Sequence, residues 1–191
     1  MSHQLALFEE PSAAPAVPGL VLVPEAITPE YEAELAEAID ASPLTPFQFG
    51  QWEGKRLTAN YGSAYDYQRA RPVAAPPLPA WLAGLRDHLA PQVGRAAEPF
   101  VQGLLIRYDL GAGIGWHRDR PQYDEVIGLS LGNPVTLRLR RRLKDGGFER
   151  VGVALPPRSI YLLSGEVRSE WEHSIAPVEQ IRRSITLRTM R

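Results

Sequence analysis

The sequence of 191 residues contains no cysteine. That absence excludes a disulfide framework, a cysteine-based zinc site, an iron–sulfur cluster and a thiol nucleophile. No apolar run approaches the roughly 18 residues that a membrane-spanning helix needs. The net charge of −1 argues against a generally basic nucleic-acid-binding protein, although it leaves room for a local basic groove.

The N-terminal stretch, residues 1–18, lacks the basic start and the long apolar segment of a secretory signal. Its prolines and acids predict a flexible lead-in, and a cytoplasmic location is the default expectation. A hydrophobic fraction of 44% and a charged fraction of 23% are typical of a globular protein. We therefore expect a single domain over residues 19–191, with a sizeable core and a monomeric state.

Helical signals lie in the N-terminal half and strand signals in the C-terminal half. Thr28 and Pro29 predict the start of a helix that runs to about Asp40, because threonine caps a helix and proline fits its first position. A second helix is predicted over residues 81–89. Residues 47–70, aromatic and polar stretches punctuated by glycine, predict a lid-like hairpin segment. Residues 100–191 contain many short strands, which predict a mostly β (α+β) fold with a jelly-roll core.

A possible metal site is indicated by His117 and Asp119, which lie two residues apart, and by the later His173. Residues i and i+2 of a strand point to the same side, so the first two can bind one ion together. Two neutral imidazoles and one carboxylate leave other positions of the metal open, as a non-haem Fe(II) oxygenase requires. The alternative is a histidine that is hydrogen-bonded to its neighbouring acid at the end of a strand.

The last strand places four polar residues on one face, because Arg182, Ser184, Thr186 and Arg188 share a parity. If this face points inward, it needs an anionic ligand to satisfy it. A small dicarboxylate would suit it, since a guanidinium pairs with a carboxylate through two hydrogen bonds. The alternative is a solvent-exposed face on an edge strand.

Together these motifs resemble the AlkB-type Fe(II)/2-oxoglutarate dioxygenases, well over residues 103–191 and loosely over the lid-like segment before them. The family's first ligand segment corresponds to residues 108–119, and its histidine followed by Ile-x-Pro corresponds to residues 173–177. The closing Arg-x-Asn-x-Thr-x-Arg corresponds to residues 182–188, with serine in place of asparagine. The resemblance implies a double-stranded β-helix (jelly roll) that uses Fe(II), 2-oxoglutarate and O2.

The resemblance also implies residue roles. It assigns iron binding to His117, Asp119 and His173. For 2-oxoglutarate it implies that Arg182 binds the distal carboxylate and that Tyr108 donates a hydrogen bond, with Ser184 standing at the family's asparagine. By the same resemblance, Arg188 would lie near the keto-acid end and the Asp119 carboxylate.

Departures from the family pattern concern mainly the substrate. Ile106 and Ser184 stand where the family has asparagines that contact the cosubstrate. Pro121 stands where nucleic-acid-repair members often have an acid that reads the edge of the damaged base. Pro121 cannot make that contact, so the residues after Asp119 do not identify the substrate.

Candidate substrate contacts lie in two regions. The lid-like segment carries Trp52, Tyr65 and Tyr67, whose rings could stack on a flipped base or simply pack a hairpin over the barrel mouth. Arg168 either shapes the pocket or forms a structural ion pair. Trp116 faces away from His117 by strand parity, which predicts a core position. A basic cluster would either contact phosphates or be a charged, solvent-facing strand, and it comprises Arg138, Arg140, Arg141, Arg142 and Lys144.

The predicted function is oxidative demethylation of an alkylated base in DNA or RNA, with release of formaldehyde, succinate and CO2. Its partner would be a single-stranded or flipped alkylated nucleotide, and no membrane is involved. One alternative is the same chemistry on a methylated protein side chain or small molecule. The other is a non-catalytic or zinc-binding jelly-roll protein in which the His-x-Asp pair is structural.

Overall fold

The computed structural model describes residues 17–49, 52–66 and 71–191. The secondary structure of these residues is mostly β, with three α-helices and a short 3-10 helix at Ala90–Val93. In chain order the elements are β1 (Leu20–Val23), α1 (Pro29–Asp40), β2 (Thr45–Phe49), β3 (Trp52–Tyr61), β4 (Ser63–Asp66), β5 (Arg71–Ala74), α2 (Ala80–Leu89), β6 (Phe100–Tyr108), β7 (Ile114–His117), β8 (Tyr123–Gly132), β9 (Val135–Arg142), β10 (Phe148–Leu155), β11 (Ile160–Leu163), α3 (Gly165–Ser169), β12 (Glu172–Ile175) and β13 (Arg182–Met190).

Two antiparallel sheets form the body. The larger has the strand order β1-β11-β8-β13-β6-β3-β2, and the smaller has the order β10-β9-β12-β7. From β6 to β13 successive strands enter opposite sheets, except that β9 and β10 both lie in the smaller sheet, and this is the arrangement of a jelly roll. The mostly β fold with N-terminal helices is therefore confirmed.

The first helix begins and ends as its sequence predicts. The Thr28 side chain accepts a hydrogen bond from the Tyr31 amide at 3.2 Å, and Pro29 occupies the first turn. Leu35 and Ile39 are buried at a spacing of four, so one face of α1 packs inward. Among the described residues, no helix is both long and apolar enough to cross a bilayer.

Two apolar cores divide the molecule into three layers. The first lies between the helices and the larger sheet, and it includes Leu35, Leu85 and Leu129. The second lies between the two sheets, and it includes Ile106 and Leu139. The larger sheet is therefore buried on both faces, whereas the smaller sheet has one face in the core and one turned outward.

The lid-like segment expected over residues 47–70 belongs partly to the body. Strands β2 and β3 extend the larger sheet, because β3 pairs with β6. A separate two-stranded sheet is formed by β4 and β5. Tyr67 and most of the predicted N-terminal lead-in lie outside the described residues.

Strand β13 lies in the interior of the larger sheet. It pairs with β6 on one side and with β8 on the other. Its four polar residues Arg182, Ser184, Thr186 and Arg188 are all buried. The alternative of a solvent-exposed edge strand is therefore wrong, and these polar side chains point into the space between the sheets.

Candidate active site

A cavity of about 850 Å³ opens between the two sheets. Strands β3, β6, β8, β11 and β13 supply one wall, and strands β7, β9 and β12 supply the facing wall. Phe47 and Tyr65, from the segment that precedes the jelly-roll strands, close part of the mouth. The cavity thus collects inward-facing polar residues from strands that are distant in sequence.

The two histidines of the predicted metal site lie directly opposite each other. His117 on β7 pairs with His173 on β12, and the centroids of their rings are 4.2 Å apart. The Nδ1 atom of His117 lies 2.9 Å from the carbonyl oxygen of Gly115. A proton on Nδ1 would donate to that oxygen, which leaves Nε2 as the nitrogen available to a metal.

The Asp119 carboxylate follows β7 and lies beside both the second histidine and an arginine. Its Oδ2 atom is 3.8 Å from Nε2 of His173. Its Oδ1 atom accepts hydrogen bonds from Arg188, at 3.0 Å from Nε and 2.9 Å from a terminal nitrogen. Arg188 is held in turn by Gln102, whose side-chain oxygen accepts from Nη1 at 2.8 Å. Arg188 therefore fixes the orientation of the carboxylate.

Protonation states in this cluster suit metal coordination. Burial and the adjacent His117 lower the pKa of His173 to about 3, and burial also lowers the pKa of His117. Burial alone would raise the pKa of Asp119, but the basic groups around it, of which Arg188 has the largest effect, together outweigh burial and hold the pKa well below its usual range. At neutral pH the cluster therefore offers two neutral imidazoles and one carboxylate, the forms that bind a metal ion.

The donor types fit a divalent metal better than the present side-chain positions do. Within the part of the chain that the structure describes, no three histidine or acidic side chains already converge closely enough to hold an ion. His117 and His173 are nevertheless cross-strand neighbours, and Asp119 adjoins the latter. The fold therefore brings the three donors together, and metal binding would draw their side chains closer.

Arg182 is a buried residue whose hydrogen-bond donors are incompletely satisfied. Its side chain is 1% exposed and donates one hydrogen bond, from a terminal nitrogen to Oγ of Ser130 at 3.0 Å. Its Nε and Nη1 atoms are buried without a hydrogen-bond partner among the described residues. A buried guanidinium with two unused N–H donors is costly unless an anion accepts from it. The arrangement therefore fits a carboxylate.

Arg182 lies just behind the wall of the main cavity. Its guanidinium carbon is 4.8 Å from the centre of the Tyr108 ring, and Tyr108 lines that cavity. Arg182 itself lines an adjoining cavity of about 360 Å³. A carboxylate that reaches Arg182 from the main cavity must therefore pass beside the Tyr108 ring.

The two departures from the family's asparagines are direct neighbours. Ser184 on β13 pairs with Ile106 on β6, and both line the cavity. The isoleucine makes this part of the wall apolar, so cosubstrate contacts there depend on the serine hydroxyl and on neighbouring residues. Sequence spacing alone does not show that the two positions face each other.

Tyr161 is a cavity residue that the sequence did not single out. It lies on β11 opposite Gly128 of β8, and a Cβ atom at Gly128 would stand only 2.1 Å from Cζ of the Tyr161 ring. The ring therefore occupies the space that a side chain at residue 128 would fill. Burial strongly raises the pKa of Tyr161, so its hydroxyl is protonated and can donate a hydrogen bond to a ligand. The signal in the sequence was a glycine inside an otherwise apolar strand.

The predicted substrate residues have different fates. Tyr65 lines the cavity, and the guanidinium carbon of Arg120 lies 4.0 Å from the centre of its ring. Arg168 is buried and donates to the carbonyl oxygens of Arg120 and Tyr123, at 2.7 and 2.6 Å. Arg168 thus shapes the loop that follows Asp119, and its role is in positioning. The backbone of Trp52 lies in β3, and Tyr67 lies outside the described residues.

Trp116 was expected in the core, and that expectation is wrong. Its side chain is partly exposed, with the guanidinium groups of Arg138 and Arg140 at 5.2 and 4.5 Å from its ring. The prediction that its side chain points to the opposite face of the strand from His117 is correct. The face opposite the core is solvent rather than a second apolar layer, because the smaller sheet is covered on one side only.

A jelly roll with two cross-strand histidines, a buried aspartate and a buried arginine in one cavity has the fold and the donor set of a metal-dependent oxygenase. The sequence profile described as the 2OG-Fe(II) oxygenase superfamily matches residues 22–191. The chain belongs to that superfamily, within which it is AlkB-like. Members use Fe(II), 2-oxoglutarate and O2, and the chain is accordingly a dioxygenase domain.

Curated relatives and a solved structure agree with this placement. A Xenopus tropicalis protein named tRNA (carboxymethyluridine(34)-5-O)-methyltransferase alkbh8 is 30% identical over 168 residues, which are 84% of this chain and 25% of that protein. An Arabidopsis thaliana protein named Alkylated DNA repair protein ALKBH8 homolog is 30% identical over 185 residues, 83% of this chain and 51% of that protein. The chain thus spans about a quarter to a half of these relatives. The structure of OsALKBH1 shares the fold, with a TM-score of 0.67 and 14% identity over 91% of this chain and 98% of its own.

Proposed function

We propose that this domain oxidatively demethylates an alkylated base in a polynucleotide. The observation that carries the proposal is that one cavity combines a cluster of metal-binding residue types with a cationic lining. Six arginines line the cavity, and Asp119 is the sole acid among its described lining residues. Such a surface favours a substrate that carries negative charge, as every nucleotide does.

Iron would be held by His117, Asp119 and His173. Arg182 would bind the distal carboxylate of 2-oxoglutarate through its two unused N–H groups, with the Tyr108 hydroxyl as a further donor. When bound, the metal and 2-oxoglutarate supply the oxidising chemistry, in which O2 is consumed and succinate and CO2 are released. Hydroxylation of an N-methyl carbon gives a carbinolamine, which loses formaldehyde and returns the proton to the base nitrogen.

The chain's own contribution is to position these groups and to exclude water. Arg188 holds the Asp119 carboxylate in one orientation, and the Gly115 carbonyl selects the tautomer of His117. The sheets surround the donor cluster so that His173 is only 14% exposed. A fixed ligand set in a dry cavity lowers the reorganisation needed during the reaction.

The substrate side of the cavity suits a flat base. The Tyr65 ring and the Arg120 guanidinium already form a stack at 4.0 Å, and an extruded base can extend such a stack. The relative from Xenopus tropicalis is named for a tRNA modification and the one from Arabidopsis thaliana for repair of alkylated DNA, and both names support a nucleic-acid substrate. A cytoplasmic location and a monomeric state stay predictions.

The test is turnover with Fe(II), 2-oxoglutarate and methylated DNA and RNA oligonucleotides, followed by succinate release and by the mass of the oligonucleotide. We expect loss of one methylene unit from the substrate and no turnover by His117→Ala. His88→Ala is the matched control, because His88 lies on α2 and does not line the cavity; its Nε2 atom is 3.2 Å from the Ala26 carbonyl oxygen. Gain of one oxygen without loss of carbon would replace demethylation by stable hydroxylation. Turnover on methylated peptides but on no oligonucleotide would contradict the proposal.

A further inference from the structure

The outer face of the smaller sheet carries a patterned set of side chains. Alternate residues of β9 and β10 point away from the core, whereas Leu137, Leu139 and Val153 point into it. We call the outward set the basic outer face, and its members are Trp116, Arg138, Arg140, Arg142, Phe148 and Arg150. The cavity described above does not account for this arrangement.

Three of the four arginines of the basic outer face lie over its aromatic rings. Arg138 and Arg140 lie over Trp116, at 5.2 and 4.5 Å from the ring centre. Arg140 and Arg150 lie over Phe148, at 4.4 and 5.3 Å. Guanidinium planes held in this way lose less side-chain freedom when they bind a ligand. The face is therefore preorganised rather than a set of loose surface charges.

The charge of this face is predominantly positive. Four arginines are opposed by one carboxylate, Glu172, which lies 2.6 Å from Arg140. The acids that neutralise Arg141 contact it where it points to the other side of β9, and they include Glu149 and Glu166. If the charges served only to prevent aggregation, positive and negative side chains would not need to lie on different faces of the strand. The separation indicates an anionic partner for the outer face.

The basic outer face is continuous with the mouth of the cavity. Trp116 belongs to the face and also contributes to the cavity wall, one residue before His117. Arg118, also at the mouth, is exposed and donates to the Ser169 carbonyl at 2.9 Å. The basic outer face therefore begins at the mouth of the cavity, so an anionic chain that enters the cavity can continue onto it.

We infer that the basic outer face binds the sugar–phosphate backbone of the polynucleotide whose base enters the cavity. The inference rests on the proposed nucleic-acid substrate. Arginines two residues apart on β9 repeat about every 7 Å, so they can contact successive phosphates of an extended strand. Trp116 and Phe148, which lie among these arginines, offer stacking surfaces for unpaired bases. An acidic polypeptide has no bases that could stack on them.

The test compares binding of a long single-stranded oligonucleotide to the wild type and to Arg142→Gln/Arg150→Gln, at several salt concentrations. Arg142 and Arg150 are both exposed, so their replacement leaves the core unchanged. Loss of two phosphate contacts should reduce the salt slope by about 1.4, so the advantage of the wild type should shrink about sevenfold between 50 and 200 mM salt. Arg142→Lys/Arg150→Lys should retain most of the affinity and the slope.

The matched control is Arg86→Gln/Arg183→Gln, which removes the same charge from the side of the molecule covered by the helices. Each of these arginines pairs with an aspartate there, Asp87 and Asp40 respectively. An equal loss of affinity in the control would overturn the inference, because it would show a general charge effect. So would an unchanged affinity and slope in Arg142→Gln/Arg150→Gln. Displacement of the oligonucleotide by polyglutamate at equal charge concentration would assign the face to an acidic polypeptide instead.

Oxidation of a modified trinucleotide separates this inference from the proposed function. A trinucleotide can place its modified base in the cavity but has only two phosphodiester links, so it offers few contacts to the sheet. Arg142→Gln/Arg150→Gln should therefore oxidise it at the wild-type rate, while the KM of this variant for the long oligonucleotide rises. Wild-type turnover of both with no difference in the variant would overturn the inference and leave the function intact. A salt-dependent loss of binding without turnover of either would leave the inference intact and contradict the function.

Discussion

Replacement of Arg182 by methionine should abolish 2-oxoglutarate binding without unfolding the protein. The side chain lies in the second core, 1% exposed, with two N–H donors that lack partners and one bond to Ser130. Methionine is unbranched and fills a similar volume, so it should pack in the same space. The substitution removes a buried charge that is incompletely hydrogen-bonded.

The magnitudes follow from the contacts. Two unsatisfied donors on a buried charged group cost about 2–6 kcal/mol together. The bond to Ser130 and the contact with the Tyr108 ring return about 1 kcal/mol each. We therefore expect the variant without ligand to be more stable than the wild type by about 0–4 kcal/mol. Two charge-assisted hydrogen bonds to a carboxylate contribute about 3–6 kcal/mol, so 2-oxoglutarate affinity should fall by more than about 100-fold.

Thermal unfolding with and without 2-oxoglutarate measures both quantities. Ligand at about 100 times its Kd stabilises the folded state by about 2.7 kcal/mol. For a chain of this size that shift corresponds to about 5–11 °C in Tm. The wild type should show this shift and Arg182→Met should show none.

Arg183→Met is the control, because Arg183 adjoins Arg182 in sequence but points to the other face of β13 and pairs with Asp40. It should lose some stability and keep the ligand shift. A full ligand shift in Arg182→Met would refute the assignment of the carboxylate site. A variant that is less stable than the wild type by several kcal/mol would show that the guanidinium is already satisfied in the folded protein.

Three further perturbations test other parts of the site. In metal-free protein the unfolded state binds more protons at His173 than the folded state does between about pH 6.5 and 3. The free energy of unfolding is therefore highest above this window and falls as the pH is lowered through it. Urea titrations at pH 7 and 5 should give free energies of unfolding that differ on the order of 2 kcal/mol, and by less in His173→Asn. Gly128→Ala should displace the Tyr161 ring and destabilise the fold by about 1–3 kcal/mol in urea titrations. Adding Tyr161→Leu to this variant should relieve most of the loss. Additive effects of the two substitutions would show that the residues do not interact. Tyr65→Ala should raise the KM for an oligonucleotide and leave the Kd of 2-oxoglutarate unchanged, and a change in both would place Tyr65 in the cosubstrate site.

The sequence predicted the polar face of β13 because side-chain alternation has a period of two. It could not distinguish an interior strand from an edge strand, since Arg182, Ser184 and Arg188 suit solvent and a polar cavity equally well. Pairing with β6 and β8 depends on contacts between distant segments. That pairing brings Arg188 to Asp119 and sets Ser184 opposite Ile106.

The sequence could not predict the environment of residues that contact backbone atoms or that approach a neighbouring strand closely. Arg168 donates to two main-chain carbonyls, and no spacing of side-chain types reveals such partners. Tyr161 became visible only through the space above Gly128. Trp116 was misplaced because an aromatic residue in a short strand usually packs in a core, whereas here it supports two arginines on the outer face.

The pairing of β4 with β5 alone has a practical consequence for engineering. In the described part of the chain no backbone ladder joins this hairpin to either main sheet, and its Tyr65 reaches the cavity. One side chain of the larger sheet does contact it, because Gln102 donates to the Ser63 carbonyl oxygen at 3.2 Å. A replacement hairpin of different length or composition can therefore be inserted between β3 and α2 without breaking a ladder of either sheet. Libraries that keep the Ser63 carbonyl in place would vary which molecules are admitted, while Gln102 continues to hold Arg188 beside Asp119.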